Sequence, residues 1–378
     1  MTYQLADWTI KSMKPMHYVL RASHNVISHP ANPYSWSLLG KFHGALLESA
    51  ARVTREYPKR GFNFASVNIN GKSHSIRQRS VLNKPFCDLL HFERQGAAPA
   101  SKVLFVAAMS GHHATLSREA LAEFLPDHEV YVTDWRDARQ VPLDQGRFGL
   151  EDYAAYLLEF LEVLGPDTHV VGICQAAVPA LMVTALMAMD DHPARPRSLS
   201  LLAGPMDITA APSAMRRACE KFDLSLMRKL LIHRVPMGYP GVGRKVYPGV
   251  QQVAGFMAGN YKAHLQSNMR FLMDVTLQRE VEAQKHREFY DEYYAVMDST
   301  GEFWVETMER VFLDQHLPKG IMQFRGRTID CTAIRDIPLL TLEGEKDEMV
   351  VPGVTQAAQN ICSSLPAHLR AHHVQADV

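Results

Sequence analysis

Val170-Val171-Gly172-Ile173-Cys174-Gln175-Ala176-Ala177 reads as a buried strand, a tight turn and the start of an alanine-rich helix. A turn this sharp holds its apical residue in strained dihedrals, and it needs small residues two places before and after so that strand and helix can pass each other. Gly172 and Ala176 meet that need. The stretch is therefore a nucleophile elbow of the G-x-S-x-G kind, with Cys174 in place of serine and alanine in place of the last glycine. The bland alternative is a small free cysteine simply buried in a core. At a helix N-terminus and near a histidine, the thiol would have a lowered pKa and attack as thiolate.

Around the elbow, short apolar runs alternate with helical stretches, the pattern of buried parallel strands joined by crossover helices. Strands are expected at Lys102 to Ala108, Glu129 to Thr133, Thr168 to Ile173, Ser198 to Leu202, Pro338 to Leu342 and His368 to Gln375. Helices are expected at 116–124, 150–164, 175–189 and 353–364. The fold class is α/β: an α/β-hydrolase fold with a mostly parallel sheet and helices on both faces. Upstream, 3–24 and 35–56 form a helical pair broken at Pro30 and Pro33, and Ala65 to Ile76 with Phe86 to Phe92 suggest hairpin strands around an Asn70-Gly71 turn. The stretch from Gly204 to Ile337 is too long for an ordinary crossover. It is rich in Met, Phe, Tyr and Trp with helical periodicity, notably over His286 to Gln315, and is read as a helical cap. The division is then 1–100 as an N-terminal helical and hairpin extension, 101–205 with 335–378 as the hydrolase core, and 206–334 as the cap insertion.

In this fold one oxyanion-hole amide belongs to the residue after the nucleophile, here Gln175, and the other to the loop after an early strand. Met109-Ser110-Gly111-His112-His113-Ala114-Thr115 is that loop, with Ser110 or Gly111 as donor. His112 and His113 serve equally well as loop histidines with solvent or packing roles. The acid should follow a late strand, and Asp347 in Leu342-Glu343-Gly344-Glu345-Lys346-Asp347 fits, with Asp207 in reserve. Glu343, Glu345 and Glu348 read as exposed loop carboxylates. Asp134-Trp135-Arg136-Asp137-Ala138-Arg139 reads as a local ion-pair network at a strand end. The cap aromatics Phe256, Tyr261, Phe289, Tyr290, Tyr293, Tyr294, Phe303 and Trp304, with Met257, offer a grip for an apolar chain, and most of them read as core.

Composition narrows the function. At 378 residues and 47% hydrophobic content the chain can bury one large core, and 40 basic residues against 40 acidic leave no global field for a nucleic acid or an anionic membrane. Five widely spaced cysteines without a C-x-x-C pair point to a reducing compartment and away from zinc. Met1 to Leu20 is interrupted by Asp7, Lys11 and Lys14, unlike a secretory leader, so a cytoplasmic location is expected. No run reaches the roughly 20 apolar residues of a membrane span.

Gly172-Ile173-Cys174-Gln175, the Ser110-Gly111-His112 loop, Asp134 to Arg139, Arg244-Lys245-Val246-Tyr247-Pro248-Gly249, Phe289 to Asp298 and Glu343 to Asp347 together resemble intracellular polyhydroxyalkanoate depolymerases, over nearly the whole chain. The resemblance implies hydrolysis of amorphous, granule-borne poly(3-hydroxybutyrate) or related polyesters, with Cys174 as nucleophile, Asp347 as acid and no metal or organic cofactor. It also implies a Gly-His loop beyond the last strand that carries the general base. Only Ala376, Asp377 and Val378 follow His368 to Gln375 here, so the chain is expected to be C-terminally truncated, without its catalytic histidine and inactive as given. His372 and His373 lie within the strand. Two other functions remain open: a polyhydroxyalkanoate synthase-like acyltransferase, which shares a cysteine elbow, and a non-catalytic granule-binding remnant. Oligomeric state is left open.

Overall fold

The computed structural model describes Tyr3, Trp8 and residues 12–377. Nine strands form one sheet: β1 (Ser66–Ile69), β2 (Lys72–Asn83), β3 (Cys87–Arg94), β4 (Lys102–Val106), β5 (Glu129–Trp135), β6 (Thr168–Ile173), β7 (Ser198–Leu202), β8 (Leu339–Gly344) and β9 (Arg370–Gln375). Their order is β1-β2-β3-β5-β4-β6-β7-β8-β9. The pairs from β5 through β9 are parallel, and β1, β2 and β3 continue the sheet antiparallel beyond β5. This is the α/β-hydrolase fold.

Asn70 and Gly71 both have positive φ, 51° and 81°, the conformation that a two-residue hairpin turn between right-twisted strands requires. They join β1 to β2, so the turn closes the first hairpin, and β3 then returns along β2.

The helices are α1 (Lys14–Ile27), α2 (Leu38–Thr54), α3 (Arg118–Phe124), α4 (Leu150–Leu164), α5 (Ala177–Met189), α6 (Ala214–Cys219), α7 (Leu224–Leu231), α8 (Gly249–Gly259), α9 (Tyr261–Thr276), α10 (Glu280–Tyr293), α11 (Gly301–Thr307) and α12 (Ala358–Ile361). α5 has no polar face and is buried from Ala177 through Met187. An all-round apolar helix of this kind belongs inside a core, and it joins β6 and β4 in the main hydrophobic cluster.

Three expectations are corrected. The stretch from His286 to Gln315 is not one helix. α10 ends at Tyr293, residues 295–300 run extended, Val296 bridges His112 and Ser299–Thr300 pairs with Lys245–Tyr247 before α11 starts. Helix 353–364 shrinks to α12, because the amides of Gly353, Thr355 and Gln356 donate to the Glu343 carboxylate at 2.8, 2.6 and 3.0 Å. β9 is not a buried strand: it is the sheet edge, and Ala371, His373, Val374 and Gln375 are exposed.

Candidate active site

β6 delivers its last residue into a sharp reversal. Cys174 has φ +55°, a left-handed conformation that side chains other than glycine rarely adopt. A short 3₁₀ turn, Cys174–Ala176, leads directly into α5. The crowding predicted at this turn is present. A Cβ on Gly172 would lie 2.9 Å from the Ala177 Cα and 3.0 Å from the Ala180 Cβ, and Ala176 is buried. Two further residues have no signal in a G-x-C-x-A pattern. A Cβ on Gly204 would meet the Ala177 Cβ at 2.3 Å and the Cys174 carbonyl oxygen at 3.4 Å, and Ala203 before it has φ +48°. The end of β7 is thus shaped to let the elbow pass.

The Cys174 thiol is held above its ordinary pKa. Burial is the main cause, the Gln175 backbone amide opposes it by hydrogen bonding to the sulfur, and the negative charge of Asp347 adds to the rise. The expected thiolate is therefore not the resting form: Cys174 rests as a neutral thiol.

Asp347 follows β8. Its Oδ1 accepts from the amides of Met349 and Val350 at 2.8 and 2.9 Å, which fixes the carboxylate by a local turn. Asp207, after β7, spends its Oδ1 on the amide and hydroxyl of Thr209 at 2.8 and 2.6 Å. Glu343 is fully buried and not an exposed loop carboxylate, whereas Glu345 and Glu348 are exposed. An alternating strand places Glu343 on the face opposite to its neighbours, and three amides make its burial tolerable.

The loop after β4 is clamped at both ends. At its start the Ala107 amide donates to Thr133 Oγ1 at 2.9 Å, and the Ala107 carbonyl accepts from Trp135 Nε1 and Tyr153 OH, both at 2.7 Å. Of these, Thr133 and Tyr153 carry no sequence signal, and Trp135 belongs to the Asp134 to Arg139 stretch. Next, Ser110 is half-buried and Gly111 has φ +89°. A Cβ on Gly111 would lie 2.9 Å from the Gln252 Cβ of α8, and the Gly111 carbonyl accepts from Met297 N at 2.8 Å. β4 pairs with β6, Val106 opposite Gly172, so Ser110, Gly111 and Cys174 all follow the same sheet edge. Thr115 Oγ1 donates to buried Glu292 at 2.8 Å, tying the loop to α10.

His112 and His113 are both buried. The His112 ring lies against Phe256 and Tyr293, at 6.0 and 4.9 Å between centroids. Burial pushes its pKa down to about 4, and burial with the cations Lys59 and Arg139 pushes His113 down to about 3. Both are neutral packing residues at pH 7. His372 Nδ1 is 3.0 Å from Thr341 Oγ1 and its Nε2 is 3.6 Å from Glu343, while His373 is exposed. Among the described residues no imidazole is hydrogen-bonded to Cys174 or to Asp347.

The Asp134 to Arg139 stretch is the ion-pair network expected, and more. Asp137 bonds Arg139 at 2.6 Å and accepts from Asp298 N at 3.2 Å. Asp298 in turn accepts from Tyr3 OH at 2.5 Å and from Gly249 N at 3.0 Å. Core, cap and N-terminal segment meet on these carboxylates. Burial, then the Asp298 charge, raises the Asp137 pKa to about 7.

A left-handed apex between a parallel strand and a buried helix, with a clamped loop on one side and a carboxylate loop on the other, is the arrangement of an α/β-hydrolase elbow. Residues 203–378 match the family model described as PHB de-polymerase C-terminus. No curated protein matches the chain significantly. Similar solved structures include naproxen esterase (carboxylesterase NP) from Bacillus subtilis, at 14% identity and TM-score 0.41, covering 89% of this chain and 90% of that one. A lipase-esterase related protein from Clostridium acetobutylicum has 9% identity and TM-score 0.41, covering 76% and 90%.

Proposed function

We propose that the chain is a polyhydroxyalkanoate depolymerase that cleaves ester bonds of amorphous poly(3-hydroxybutyrate) or a related polyester at cytoplasmic storage granules, without a cofactor. Cys174 is its nucleophile, the Gln175 amide and a Ser110 or Gly111 amide hold the oxyanion, and Asp347 is the acid. The observation that carries the reading is Cys174 at φ +55° on the elbow, in a chain whose residues 203–378 match the depolymerase family. Polymer contact is supported by α9, where Tyr261, Leu265, Met269, Met273 and Leu277 recur every fourth residue and are 45–60% exposed. An apolar ridge of this extent suits an insoluble apolar surface. Tyr290, Phe303 and Trp304 of the cap are core.

The test is acid release from amorphous polymer by the purified chain and by Cys174→Ala. Release by the first alone supports the reading. CoA release with polymer growth from 3-hydroxybutyryl-CoA would instead make the chain a synthase-like acyltransferase. The neutral Cys174 thiol, with no imidazole bonded to it among the described residues, favours a second reading, a granule-binding protein without turnover. Co-sedimentation with granules and no acid release would establish that one.

A further inference from the structure

Helices α1, α2 and α10 enclose an open groove of about 910 Å³, and no residue of the elbow or of the loop after β4 lines it. Among the described residues six Lys or Arg side chains line it against three carboxylates, in a chain whose charges balance overall. The carboxylates are already taken. Glu56 pairs with Lys14 at 3.0 Å, Glu48 pairs with Arg287 at 2.6 Å, and Asp291 is shared between Arg52, at 2.6 Å, and Arg55. Arg21 has no carboxylate partner among the described residues, and the Arg60 guanidinium comes no closer than 3.6 Å to Glu292.

The surplus is local and partly desolvated. Arg55 Nε and Arg60 Nη1 are buried with no acceptor, and a buried charged donor left unpaired is costly. Arg55 lies over the Tyr57 ring at 4.3 Å, which fixes the plane of its guanidinium. His17 and His24 set Nδ1 2.9 Å from the carbonyls of Ala51 and Gly44. A carbonyl only accepts, so Nδ1 is the protonated ring nitrogen that donates to it. Tyr18, Tyr57 and Pro58 add apolar wall. The volume is that of a site for a small organic molecule, larger than one inorganic ion needs.

We propose that this groove binds an organic polyanion with at least two phosphate or carboxylate groups, one set by Arg55 and Arg60 and another by Arg21, its body against Tyr57. A polyester is uncharged along its length, so this ligand is distinct from the substrate proposed above. Calorimetric titration of the full chain at low ionic strength with citrate, inorganic pyrophosphate and ADP tests it. Citrate against pyrophosphate separates carboxylate from phosphate, and ADP against pyrophosphate reads the aromatic wall. Saturable binding of at least one probe is expected, weakened about tenfold by Arg60→Gln and by Arg21→Gln, the worth of one charge-assisted hydrogen bond. Arg21 is exposed on α1, so its variant keeps the fold and the readout. Absence of saturable binding at millimolar concentrations of all three probes, or equal binding by the parent chain and both variants, would overturn the proposal.

Discussion

At Cys174 the backbone is strained while the side chain is at rest. The left-handed φ persists because β6 and α5 fix both sides of it, and the thiol stays protonated because burial and Asp347 disfavour the anion. Attack therefore needs a proton acceptor more than it needs an intrinsically acidic cysteine. In a hydrolytically active preparation, Cys174→Ala should lower acid release by at least about a hundredfold, since covalent nucleophiles are worth several orders of magnitude, with an unchanged melting curve. Retained activity would remove Cys174 from the mechanism. Gly172→Val tests the packing rather than the chemistry. Its Cβ would press on the Ala177 backbone at 2.9 Å, and a loss of about 1–3 kcal/mol in urea denaturation is expected for such overpacking. Gly172, Cys174 and Ala176 were legible because the elbow imposes their spacing within five residues. Gly204 was not, because the contact it relieves lies across the sheet, 30 residues or so later in sequence, where no local pattern records it.

Among the elements, the loop from Met109 to Thr115 carries the clearest dependence on pH. Folding holds His112 and His113 well below their ordinary 6.5, at about 4 and about 3, so from about pH 6.5 down to those values the unfolded chain binds protons that the folded chain does not. Stability is fully present above that window and falls as pH drops through it. Asp137, raised from 3.8 to about 7, acts in the opposite sense, losing stability as pH rises over that span. His113→Asn should therefore flatten the acid-side loss in urea midpoints, and Asp137→Asn should steepen it. Parallel pH profiles for all three proteins would contradict these assignments. At the end of β8, Glu343→Gln replaces an acceptor that serves three amides. About 3 kcal/mol of stability should be lost, since bonds to a charged group are each worth about 1.5–3 kcal/mol and buried donors are left behind. Periodicity located β4, β6, β7 and the elbow helix, whose apolar runs are continuous. It extended the helix before α12 and ran helical periodicity through the break between α10 and α11, because there Glu343 and Asp137 capture backbone amides from a distance, a competition that hydrophobic spacing does not encode.

On the scale of the whole molecule, the long segment between β7 and β8, expected to be a cap, is tied by buried polar bonds to the loop after β5. Buried Arg244 donates to the carbonyls of Val141 and Gly146 at 2.9 and 2.8 Å and also to that of Pro142. Asp298 joins Tyr3, Gly249 and the Asp137 loop. Exchanging the cap for a linker would strand these buried charges, so its role is better tested at its surface. Leu265→Glu with Met269→Glu, on the exposed α9 ridge, should reduce co-sedimentation with amorphous granules severalfold while leaving hydrolysis of a short soluble ester and the melting curve unchanged. Equal loss on both substrates would deny the ridge a role in polymer contact. The parallel sheet could be read from continuous apolar strands, but the joints between layers could not, since they are made by single polar residues of widely separated segments. The resting state of Cys174 has one more implication. Peroxide oxidises thiolates far more readily than thiols, so a nucleophile kept protonated is also slow to reach sulfenic acid, and Cys174 should resist peroxide longer than a low-pKa cysteine would.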